Sequence, residues 1–114
     1  MGDSKAEALP LRRPVFHILL ALSRDQLHGL GIAEVVERDT NGSVELGPGT
    51  LYRSLKEMTE RGLVAEVEAP EGADPRRKYY RATEQGRSLV AAEAGRLASI
   101  VSLAKARDVL PDGV

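Results

Sequence analysis

A mainly α-helical fold with a small β hairpin and one long terminal helix is what this sequence predicts. Three features carry the prediction. The stretch Leu46–Val64 is a helix of about three turns with a stop signal at each end. Residues 63–82 hold two short strand-like runs around a turn-rich loop, Pro70-Glu71-Gly72-Ala73-Asp74-Pro75. After Thr83 a helical pattern runs unbroken to about Val109, ahead of Pro111.

In chain order, Met1–Ala8 is polar and mixed in charge, without the apolar stretch of a signal peptide. Residues 1–12 therefore read as a flexible tail. Pro14 opens Val15–Leu22, which is apolar nearly all round and so fits a helix covered on most sides. His17 lies there without a second ligand at metal spacing and reads as a packed or edge histidine. Asp25–Gly31 reads as a glycine-rich turn with a solvated His28. A second helix is expected from about Gly31 to Asp39 on the stripe Ile32, Val35 and Val36, stopped by Thr40-Asn41-Gly42. Val44-Glu45-Leu46 reads as a short extended piece before the third helix.

In that third helix Pro48 suits the first position, where a missing N–H costs nothing. Gly62 suits the left-handed residue just past the end. Leu51, Leu55 and Met58 make one apolar stripe. Gly49, Arg53, Lys56 and Glu60 lie opposite, flanked by Thr50, Tyr52 and Glu57. Leu63–Ala69 alternates as a strand, and Arg76–Ala82 reads as the returning strand, its first three residues cationic. Thr83 can cap the last helix, with Glu84 favoured by the dipole. That helix, about 25 residues or roughly 37 Å long, carries Val90, Ala94, Leu97, Val101 and Ala104 at a coiled-coil-like spacing. Leu89, Ile100 and Leu103 widen the stripe. A domain of about 70 residues cannot cover a stripe of that length, so these residues are expected to form a dimer interface with an identical subunit.

Composition narrows the function. With 114 residues and 42% hydrophobic content the chain can form one domain plus one extra element. Without Cys it has no disulfide, thiolate metal site or Cys nucleophile, which suits a cytoplasmic protein. No apolar run reaches the roughly 20 residues of a membrane span. Neither His has a partner for acid–base chemistry, and no phosphate loop is present, so an enzyme is not expected, nor is a metal or other cofactor. The net charge is −1, yet Arg76, Arg77, Lys78, Arg81 and Arg87 outweigh Asp74 and Glu84 locally by three charges. Screening beyond roughly 10 Å lets such a local field decide contacts with phosphates.

Two helices, the second with an exposed polar face, followed by a hairpin, make a winged helix-turn-helix. The third helix would enter a DNA major groove and the wing would grip the backbone. Thr50 and Tyr52 suit phosphates, Arg53 suits bidentate readout of guanine, and Lys56 stands beside them. Arg76, Arg77 and Lys78 would meet the wing-side backbone or minor groove. The expected organisation is a tail over 1–12, a winged helix-turn-helix DNA-binding domain over 13–83, a dimerisation helix over 84–110 and a tail over 111–114. Two heads on one double-stranded DNA would sit about 34–36 Å apart and favour a palindromic operator.

The sequence also resembles the PadR-like bacterial transcriptional regulators over about residues 14–90. The resemblance rests on His28-Gly29-Leu30-Gly31-Ile32, Gly47-Pro48-Gly49-Thr50-Leu51-Tyr52, Arg61-Gly62-Leu63-Val64 and Arg77-Lys78-Tyr79-Tyr80-Arg81-Ala82-Thr83-Glu84-Gln85-Gly86. It implies a winged helix-turn-helix with a single C-terminal dimerisation helix, as in the family's short branch, and repression relieved by a small-molecule effector. Leu30 and Ala82 depart from the family, which often has an aromatic and a larger aliphatic there. The resemblance places an effector cavity at the dimer interface near the first and last helices, where Phe16, Leu97 and Val101 would line it. The competing reading is a winged helix that serves as a protein-interaction module without specific DNA binding, which the net charge of −1 favours.

Overall fold

The computed structural model describes residues 9–114. Its elements are α1 (Arg13–Ala21), β1 (Leu27–His28), α2 (Gly29–Asp39), α3 (Pro48–Glu60), β2 (Val64–Val67), β3 (Tyr79–Ala82) and α4 (Glu84–Ala106). The three strands form one antiparallel sheet in the order β1-β3-β2. Leu27 faces Tyr80 and His28 faces Tyr79 on one side of β3, while Val64 faces Ala82 and Val67 faces Tyr79 on the other.

The core is aliphatic and centred on α1, whose Ile18 and Leu19 are fully buried. Ile32 and Val36 of α2, and Leu51, Leu55 and Met58 of α3, close over them. The α3 stripe read from the sequence is thus the buried face. Gly62 has φ +76° and ends α3 as the left-handed residue. The Leu63 N–H then donates to the Met58 carbonyl at 2.8 Å, a bond of the Schellman type.

Four expectations need correction. First, Val44-Glu45-Leu46 is not a strand. Thr40 Oγ1 donates to the Val36 carbonyl at 2.8 Å and accepts the Val44 N–H at 3.1 Å. This holds the connection as a turn, with Val44 and Leu46 half-buried against the core. Second, the additional strand is Leu27–His28, and α2 starts at Gly29 rather than Gly31. Third, Arg76, Arg77 and Lys78 precede β3 and lie in the turn at the hairpin tip. Fourth, the N-terminal tail expected over residues 1–12 lies outside the described residues up to residue 8, and beyond that it is anchored. Leu11 is buried, and its N–H donates to Glu93 Oε2 at 3.2 Å.

Glu93 deserves its burial because it is fully matched. Arg96 donates to both of its oxygens, Nε at 2.6 Å and Nη2 at 3.0 Å, beside the Leu11 N–H. The Arg96 hydrogen bonds hold its carboxyl below the ordinary glutamate range; desolvation opposes them, and the Leu11 bond adds to them. A carboxyl lowered in the folded state contributes stability above its ordinary range and loses it as the pH falls through the folded value. The melting temperature of the native chain should therefore drop more between about pH 6 and pH 3.5 than that of Glu93→Gln, as read by circular dichroism. Equal drops would contradict this.

Thr83 caps α4 as expected, its Oγ1 accepting the Gly86 N–H at 3.0 Å and donating to the Gly62 carbonyl at 2.6 Å. The helix leaves the domain a little before its midpoint. Gly86, Val90 and Glu93 are buried, whereas Leu97, Ile100, Val101 and Leu103 are 37–56% exposed. Val90, expected in a dimer interface, is instead part of its own domain's core, because α4 crosses α1 there. Among the described residues no helix is long and apolar enough to cross a membrane.

Candidate nucleic-acid interface

The polar side of α3 faces outward because its other side is committed to the core. Tyr52 is 52% exposed, Arg53 and Lys56 are exposed, and Thr50 in the first turn is half-buried. Arg53 and Lys56, three residues apart, are neighbours on the helix surface. Neither has a hydrogen-bond or ion-pair partner among the described residues. Ser54 takes the buried side between Leu51 and Leu55.

The wing tip is more differentiated than three consecutive cations suggest. Arg76 is tied to Asp74, which accepts its backbone N–H at 2.9 Å and both ends of its guanidinium at 3.2 Å. Those bonds hold the Asp74 carboxyl below its ordinary value. Arg77 turns back toward α2, with Nη1 2.7 Å from His28 Nε2 and 3.3 Å from Nδ1. Lys78 has no partner among the described residues.

These elements meet in a cleft lined by His28, Gly29, Leu30, Tyr52, Arg76, Arg77 and Lys78. It unites Tyr52 of α3 with all three wing cations at the start of α2. Thr50, Arg53 and Lys56 do not line it. His28 is not the solvated loop residue that the sequence suggests. Its Nδ1 accepts the Gly31 N–H at 3.0 Å as the N-cap of α2, and its ring meets Tyr79 edge-on at 5.3 Å. The available signal was the spacing of His28 to Gly31, that of a side chain capping the third residue on. His17 is half-buried beside Phe16, with ring centroids 5.3 Å apart. Burial, aided by Arg13, pushes its imidazole below the ordinary value, and Asp39 acts the other way. No group of three or more metal-ligating side chains is found among the described residues.

The cap-and-wing arrangement defines a winged helix-turn-helix: two helices set at a turn, a third with a solvent-facing basic side, and a β hairpin alongside. The family model described as the transcriptional regulator PadR-like family matches residues 18–92, and the chain belongs to that family. Solved structures agree on the fold. A PadR family transcription regulator from hypervirulent Clostridium difficile is 23% identical, with a TM-score of 0.69 over 82% of this chain and 96% of that one. A transcriptional regulator from Clostridium thermocellum is 20% identical, with a TM-score of 0.67 over 81% and 86%. Bacillus subtilis PadR in complex with operator DNA is 21% identical, with a TM-score of 0.62 over 71% of this chain and 46% of that one. A search of curated protein sequences gave no match.

Proposed function

We propose that this transcriptional regulator is a homodimeric repressor that binds a palindromic operator in double-stranded DNA and is released by a small-molecule effector. One observation carries the reading. In a chain of net charge −1, Arg53 and Lys56 on the outward side of α3 and Lys78 at the wing tip are exposed cations without an acidic partner among the described residues. Cations left open on these two elements suit the groove and the flanking backbone of one duplex. The DNA complex of the Bacillus subtilis relative supports the same use of the fold.

Each side chain has a distinct task in this reading. Arg53 reads a base edge through its planar fork, which matches the two acceptors of guanine. Lys56, Thr50 and Tyr52 contact phosphates, and Arg76, Arg77 and Lys78 add the wing's grip. Residues 13–83 are the DNA-binding unit, and of the dimerisation segment expected over 84–110 only Glu84–Ala106 is helical, because the chain turns at Arg107 and Asp108, the latter at φ +59°. The dimer forms on the uncovered part of the α4 stripe, from Ala94 through Leu97 and Val101 to Ala104. An effector seated near Phe16, Leu97 and Val101 would act by binding one spacing of the two heads more tightly than the other.

The test is selection of duplexes from a randomised pool, followed by anisotropy titration of the winner. Arg53→Ala should weaken that duplex by about 1–3 kcal/mol per site and relax the preference at one base position. Neutralising Lys78 should weaken all duplexes alike and flatten the salt dependence. An Arg53→Ala chain that binds the selected duplex like the native one would remove Arg53 from base readout. A pool that yields no enriched sequence would favour the protein-interaction reading.

A further inference from the structure

The cleft at the start of α2 joins two groups that belong to different elements, and one dipeptide touches both. We propose that His28 and Gly29 are positioning residues which lock Arg77 of the wing and Tyr52 of α3 into one preset arrangement, so that both reach the DNA backbone together. The assignment rests on the DNA-binding reading above and extends it to residues outside the recognition helix and the wing.

Two contacts carry it. Tyr52 is 52% exposed, yet its ring end lies against Gly29. A Cβ on Gly29 would overlap the Tyr52 hydroxyl, and would stand 2.7 Å from Cζ and 2.9 Å from Cε1. Real Cβ atoms do not approach so closely, so the tyrosine occupies this place only because residue 29 has no side chain. The wing is held on the adjacent residue. Arg77 Nη1 sits 2.7 Å from His28 Nε2, Tyr79 meets the ring edge-on, and the Gly31 N–H lies 3.0 Å from Nδ1 on the other side. A neutral imidazole has one acceptor nitrogen, so the tautomer that accepts from Arg77 is not the one that caps Gly31, and Tyr79 and the β1–β3 pairing hold the ring in place while it serves the wing. His28 also pairs with Tyr79 in the β1–β3 ladder. The β1–α2 junction is therefore the fixed point to which both DNA-facing elements are referred. Placing two contact groups in advance spares the ordering cost of binding, which is how a residue that touches no DNA can change affinity.

Two variants separate positioning from folding. Gly29→Ala pushes out only the far end of Tyr52, a flexible side chain, and leaves the α2 backbone helical. His28→Asn keeps a strong N-cap for Gly31 but cannot reach Arg77. Each should melt close to the native chain and bind the selected duplex about five- to tenfold more weakly. The positioning role is read in double-mutant cycles. The Gly29→Ala loss should largely vanish in a Tyr52→Ala background, and the His28→Asn loss in an Arg77→Ala background. Native-like binding by both variants, or losses that simply add to those of Tyr52→Ala and Arg77→Ala, would overturn the positioning role alone. Absence of salt-dependent duplex binding by the native chain would overturn the DNA-binding reading and this assignment with it.

Discussion

A chain carrying both Leu97→Glu and Val101→Glu is expected to run as a monomer and to bind its duplex at least about a hundredfold more weakly than the native chain. Gly86, Val90, Glu93, Leu97, Val101 and Ala104 follow one face of α4, yet only the first three are buried. The apolar face continues past the point where its own domain ends. Leu97 and Val101, at 37% and 48% exposed, stand one helical turn apart at the centre of the uncovered part. Ile100 widens it on one flank, and Ala94 keeps it narrow enough for a second helix to approach. Two carboxylates on that face would have to be desolvated in the interface, which apolar partner surface does not repay. The loss in DNA affinity follows because two linked heads gain about two to four orders of magnitude in avidity over one. Light scattering after size exclusion reads the mass, and a native chain that is itself monomeric at micromolar concentration would contradict the premise.

Gly86→Ala is expected to destabilise the fold by about 1–3 kcal/mol or more, the cost of forcing extra volume into a packed site. The added Cβ would overlap the Leu63 carbonyl oxygen and come within 3.0 Å of Leu19 Cδ2. The first obstacle is backbone, which cannot swing aside. That carbonyl also accepts the Thr83 N–H at 3.0 Å. Moving it would disturb the junction where the end of α3, the start of the wing and the cap of α4 meet. Alanine normally favours a helix over glycine, so a loss here has the opposite sign to propensity. Chemical denaturation measures it, and a variant as stable as the native chain would show that α4 can shift freely on Leu63.

How legible each part was in the sequence follows from what fixed it. The bounds of α3 were readable because Pro48 and Gly62 act locally, through a missing N–H and a positive φ. The cap at Thr83 was readable for the same reason. β1 was not, because two residues carry no alternation; Leu27 and His28 are a strand only by virtue of Tyr79 and Tyr80 across from them. Val44–Leu46 has strand-like residues but no such partner, and Thr40 bends it into a turn. Val90 shares the spacing of the α4 stripe, and spacing alone does not say where the domain stops covering it. The outward side of α3 follows directly from its periodicity. The pairing of Arg76 with Asp74, and the anchoring of Arg77 on His28, depend on loop geometry and on a contact 49 residues apart.

In the proposed complex, α3 and the wing of two linked chains hold one DNA duplex. The measurement that tests it most directly is anisotropy of a labelled duplex, selected from a random pool, titrated with the native chain at two salt concentrations beside a scrambled duplex. Two chains per duplex, tighter binding than to the scrambled control, and affinity that falls steeply as salt rises are expected. Equal affinity for both duplexes with no dependence on salt would contradict it.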